Sequence, residues 1–185
     1  ANEWVSSITY AGNSLTLAKV QDGGESEDQR VELWYLVNPP VGTADVVVNF
    51  ASYVDPSGVY AVNFTGADQA SPIGDTAGAH ATSGSFATTY VTTLKADSLI
   101  FGAVSARGGT ISFEPDDTHI TELWDDNTGS VSSDNDGLWG GERQAPTAGT
   151  SYKFGASFTS SDNWAIACVE LKASPPPSFS SITPD

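Results

Sequence analysis

The sequence predicts an all-β chain, a two-sheet antiparallel β-sandwich of jelly-roll-like form with about ten strands. Three observations carry this expectation. Apolar and polar residues alternate with a period of two along one segment after another. Clusters of Gly, Pro, Asn and Asp interrupt those segments at the spacing of sandwich turns. No stretch repeats its apolar residues with the period of a helix.

Taken in order, residues 3–10 and 14–20 read as two strands joined by Ala11-Gly12-Asn13, a turn whose residues tolerate positive φ. Residues 21–29, QDGGESEDQ, form an acidic loop. Residues 30–50, RVELWYLVNPPVGTADVVVNF, read as a β-hairpin. Val31, Leu33, Tyr35 and Val37 alternate with Glu32, Trp34 and Leu36, while Val46, Val48 and Phe50 alternate with Val47 and Asn49. Pro39 and Pro40 have no N–H to donate, so the first strand stops before them. Leu36 and Val47 make both faces of the pair partly apolar, as in strands covered on both sides.

Residues 58–64, GVYAVNF, alternate like another strand, and residues 65–83, rich in Gly, Ala, Ser and Asp with no periodicity, read as a long loop. Strands follow at residues 85–93 and 98–106, then one at 120–124. Residues 125–141, DDNTGSVSSDNDGLWGG, read as an acidic, glycine-rich loop. Residues 150–158 and 164–171 make a closing hairpin. A single domain over residues 1–172 results, with the Pro- and Ser-rich extension 173–185, ASPPPSFSSITPD, outside its body.

The 185 residues suffice for one domain with a substantial core. The lone cysteine, Cys168, lies in an apolar run and reads as a buried small hydrophobe. With 23 acidic and 7 basic residues, the net charge of −16 opposes binding to a phosphate backbone, so no nucleic-acid partner is expected. No apolar run approaches the roughly 20 residues that cross a bilayer, so no membrane insertion is expected.

Catalysis needs a constellation that the sequence does not supply. Two histidines, His80 and His119, are too few for a His-based metal triad, and no nucleophile elbow, phosphate loop or H-E-x-x-H motif is present. Glu32, Glu122 and Glu170 sit within strands and could form the carboxylate pair of a glycan hydrolase or lyase only if two shared a concave face. Their apolar neighbours fit ordinary strand residues, so no enzyme is expected.

Two binding features stand out. Asp125, Asp126, Asp134 and Asp136 put hard oxygen ligands in flexible loops, which suits calcium, although none fits the EF-hand spacing and the same residues also build plain turns. No other cofactor is expected. Leu138 and Trp139 form an apolar pair in a glycine-rich loop, fit either for a ligand or neighbouring subunit or for folding back on the core. Pro175 and Phe179 in the extension complete the candidate contact set.

The segments VSSITYAGNSLT, VELWYLVNPPVGTADVVVNF, VYAVNFTGADQASPIG and SDNWAIACVELK together resemble a widespread β-sandwich module of phage and bacterial proteins. Such modules occur in phage structural proteins and in surface proteins beside lectin-like domains, and they carry no catalytic motif. The resemblance implies a non-enzymatic virion structural protein, a capsid decoration or cement protein or a tail or fibre surface module. It would sit on the virion surface as a homo-oligomer in contact with partners such as the major capsid protein. The alternative is a carbohydrate-binding module of an extracellular surface protein, recognising a cell-surface glycan with Trp139 and nearby Asp and Asn residues.

Overall fold

The computed structural model describes residues 5–24, 29–52, 56–108, 110–129, 135–159 and 162–175, and within them the chain is an all-β antiparallel sandwich with no helix. Its strands are β1 (Val5–Tyr10), β2 (Asn13–Ser14), β3 (Thr16–Asp22), β4 (Arg30–Tyr35), β5 (Val46–Phe50), β6 (Ile73–Ala81), β7 (Phe86–Thr92), β8 (Ser98–Arg107), β9 (Phe113–Pro115), β10 (Ile120–Asn127), β11 (Asp136–Ala145), β12 (Ser151–Phe158) and β13 (Trp164–Leu171). A central five-stranded sheet runs β10-β11-β8-β13-β6, flanked by the three-stranded sheet β7-β12-β9, the pair β3-β4 and the small sheet β2-β1-β5.

The sequence of β13, WAIACVEL, explains the layering. Successive side chains point to opposite faces of a sheet, and seven of these eight residues are buried. Trp164, Ile166 and Cys168 join the main core with Ile100, Val104, Trp139, Phe154 and Phe158, between the central sheet and β7-β12-β9. Ala165, Ala167 and Val169 face the other way and meet Val31 and Leu33 of β4. The central sheet is therefore covered on both sides, and each large apolar side chain so enclosed contributes roughly 1.5–3 kcal/mol. We call the face toward β7-β12-β9 inner and the face toward β3-β4 outer.

Several connections differ from the sequence reading. Residues 30–50 do not form a hairpin: β4 pairs with β3 and β5 pairs with β1. The connection is long and carries two prolines, with Asn38 at φ 50 and Gly42 at φ 138, so it crosses between sheets instead of closing a tight turn. The first turn does form a two-residue hairpin, with Tyr10 opposite Asn13, but only β2 uses it before the chain leaves for β3. Likewise β12 and β13 belong to different sheets, so the expected closing hairpin does not form.

Residues 73–81, expected within a loop, are strand β6, whose small Ala77, Ala79 and Ala81 pack against the main core. Residues 58–64, expected as a strand, have no ladder partner and lie on the outer face instead. There Tyr60 stacks on Trp124 with ring centroids 4.6 Å apart and planes at 6°, and Phe64 meets Phe101 edge-on at 5.3 Å. Gly140 makes the stack possible, because a Cβ at this position would stand 2.0 Å from Trp124 Cζ2. The body also runs past residue 172: Ala173 bridges to Ala67, and the Ser174 N–H donates to Gly66 O at 2.7 Å.

Candidate functional site

Residues 125–141, expected as an exposed loop, are largely the strands β10 and β11, in register with Asp125 opposite Trp139 and Asp126 opposite Leu138. This pairing disperses the expected calcium ligands. As neighbours in one strand, Asp125 and Asp126 point to opposite faces. Asp125 Oδ2 accepts from the Phe113 N–H at 3.1 Å, and Asp126 Oδ2 accepts from the Tyr60 hydroxyl at 3.2 Å. Asp136 Oδ1 accepts from Gln29 Nε2 at 2.9 Å, and Gln29 Oε1 accepts in turn from Ser105 Oγ at 2.6 Å. Asp134 lies outside the described residues. Among the described residues no three His, Cys, Asp or Glu side chains form a metal-holding group.

Trp139 is fully buried, so of the two readings of the Leu138-Trp139 pair it follows the one that folds back on the core, and it is not available as a ligand contact. Its ring packs on Phe154 at 5.8 Å, and its indole N–H donates to Glu122 Oε2 at 3.0 Å, which satisfies the polar end of an otherwise apolar side chain. Leu138 is half-buried on the outer face beneath Gly58. Pro175 is exposed near the end of the described chain, and Phe179 lies outside the described residues.

The three strand glutamates have structural partners and are not brought together as a catalytic pair. Glu32 accepts from Arg30 Nε at 2.6 Å, Trp34 Nε1 at 2.9 Å and the Val5 N–H at 3.1 Å. Glu122 accepts from Trp139, as above. Glu170 is fully buried and accepts from the N–H groups of Leu94, Lys95 and Asp75 at 2.9–3.0 Å and from Ser98 Oγ at 2.7 Å. A further polar group joins Asp117 to Arg143 Nη1 at 2.8 Å and to His119 Nδ1 at 2.6 Å, with Asp116 bound to Lys153 Nζ at 2.6 Å. The N–H and ring of His119, together with Arg143, hold the Asp117 carboxyl well below its ordinary value.

Compared with known proteins, the chain matches no family model, no curated protein and no solved structure. The geometry of its own surface therefore carries the functional argument.

Two surface features that the sequence reading passed over emerge from the structure. The first belongs to β7. Its alternation sends Ala87, Thr89 and Val91 inward and leaves Phe86 60% and Tyr90 59% exposed on the outward side, with Leu94, 68% exposed, just beyond the strand end. In the sheet order β7 lies at an edge and pairs with β12 alone. The alternating sequence FATTYVT could have revealed this stripe, since its larger side chains stand on the face opposite Ala87 and Val91.

The second is a polar cleft on the outer face, bounded by residues 63–67, the beginning of β8, the end of β11 and residues 171–173. It could not be read from sequence, because its walls come from four separate parts of the chain.

Proposed function

We propose that the chain is a non-enzymatic structural protein of a virion, a capsid decoration protein or a module of a tail or fibre surface, displayed in several symmetric copies at the virion surface. The observation that carries this reading is the exposed Phe86-Tyr90-Leu94 stripe along β7, an edge strand that pairs with β12 alone. Phe86 and Tyr90 stand roughly 13 Å apart along the strand, at about 3.3 Å per residue. Rigid aromatic anchors exposed along an edge strand suit docking on a protein lattice by insertion of the rings into pockets. The major capsid protein is the expected partner. The net charge of −16 favours a basic or neutral partner surface, and the resemblance to phage structural modules supplies the context.

The test is co-sedimentation. Virus particles from producing cells, probed by immunogold electron microscopy with an antibody against this chain, should carry label, and the wild-type protein should sediment with them. A Phe86→Ser/Tyr90→Ser variant should fold with an unchanged melting temperature and remain in the soluble fraction. Unlabelled particles, or a variant that still co-sediments, would overturn the reading.

A further inference from the structure

We infer that the polar cleft on the outer face is a binding site for a neutral saccharide, distinct from the Phe86-Tyr90-Leu94 stripe. The register of β11 places Glu142 opposite Phe101 and Gln144 opposite Leu99, which puts both side chains on the outer face. Elsewhere that face is covered by β3-β4 or by residues 58–64. Here the cover stops, and Asn63, Phe64, Asp97 and Lys172 complete the walls.

Two properties distinguish this cleft from a gap between elements. Its polar groups are accessible: among the described residues the side chains of Asn63, Asp97, Glu142 and Gln144 make no hydrogen bond, and all but the half-buried Glu142 are exposed. By contrast, Glu32, Asp117, Asp126 and Glu170 are each held by named donors. The walls are also fixed in advance. Glu170 accepts from the N–H groups of Leu94 and Lys95 and from Ser98 Oγ, which pins the turn that carries Asp97 at φ 56. Lys95 Nζ donates to Ala173 O at 2.5 Å, tying that turn to the opposite wall. A preorganised wall spares a ligand the cost of ordering it.

The chemistry selects the ligand class. Two carboxylates require donors from the ligand, whereas two amides both donate and accept, so the ligand must present several groups that do both. Hydroxyl groups do. The ammoniums at the cleft are both engaged, Lys172 with Ser71 Oγ at 2.7 Å and Lys95 with Ala173 O and Asp68, whereas the Asp97 and Glu142 carboxylates are not, which disfavours an anion. The Phe64 ring and Leu99 add an apolar patch for C–H groups. A sugar ring unites hydroxyls, neutrality and a C–H face.

Titration of isotope-labelled protein with the methyl glycosides of glucose, galactose, mannose and N-acetylglucosamine, followed by NMR, tests the inference. At least one glycoside should shift the amides of residues 63–67, 97–99 and 142–144. Glu142→Ala should weaken that response about tenfold without lowering the melting temperature, and Phe86→Ser/Tyr90→Ser should leave it unchanged. Silence toward all four glycosides, shifts insensitive to Glu142→Ala, or the same shifts produced by calcium alone would each overturn the inference. None of these outcomes bears on co-sedimentation with particles, so the two readings stand or fall separately.

Discussion

The Glu170 carboxylate is fully enclosed yet held in its charged form. Burial pushes its pKa up, but the N–H groups of Leu94, Asp75 and Lys95 and the Ser98 hydroxyl outweigh that effect and bring it below the ordinary glutamate value. Glu170→Gln would turn an amide NH₂ toward this ring of donors. The variant is expected to lose about 2–3 kcal/mol in urea unfolding, and a loss under about 0.5 kcal/mol would mean that the turn at residues 94–97 stands without the charge. Gly74 belongs to the same arrangement, since a Cβ there would lie 2.0 Å from Glu170 Oε2. Cys168 shows burial without such donors: enclosure pushes its thiol up to about 12, partly offset by its contact with Ala77 O, which fits a packing residue rather than a reactive one.

Residues 58–64 form an element that behaves like neither a strand nor a free loop. Their hold on the central sheet is the Tyr60–Trp124 stack, the Tyr60–Asp126 hydrogen bond and the edge contact of Phe64 with Phe101. Tyr60→Ala should therefore accelerate amide exchange in this run while lowering global stability by no more than about 1.5 kcal/mol beyond the lost area; unchanged exchange would show that the stack does not hold it. Burial, then the negative charge of Asp126, raises the Tyr60 phenol to about 12. Asp126→Asn should bring its absorbance titration down toward 10, and an unmoved titration would sever the link.

This element also marks where the sequence ceased to be legible. Alternation in GVYAVNF suggested a strand but could not say whether another strand would pair with it. The same limit explains residues 30–50, where both strands were evident and their partners were not, because pairing is settled by the whole sheet. β6 escaped notice for the opposite reason: its Ala and Gly residues fit it between bulkier neighbours but leave no apolar alternation to read. The apolar run of β13 was plain, and the burial of Cys168 followed from it. Trp139 was misplaced because Gly137, Gly140 and Gly141 suggested a turn, whereas here glycine makes room for neighbouring aromatic rings within a strand.

At the scale of the whole molecule, acid should be a selective denaturant. Asp117 and Glu170 both have folded-state pKa values below their ordinary values of 3.8 and 4.5. The stability they add is complete above those unfolded values and is lost as the pH falls below them. Unfolding free energy should thus be flat near pH 6 and drop below about pH 4.5, and Asp117→Asn/Glu170→Gln should flatten the acid limb. A limb of unaltered steepness in the double variant would assign acid sensitivity to other carboxylates.

The position of β13 sets the order of assembly. It is the last strand of the described chain, yet it lies between β8 and β6 in the middle sheet and contributes to the cores on both faces. As the chain emerges from the ribosome, earlier strands can form the β3-β4 and β7-β12 pairs, but neither core can close until residues 164–171 arrive. Until then the growing chain presents two incomplete apolar surfaces and an open slot in its central sheet, the state in which association with neighbouring chains competes with folding.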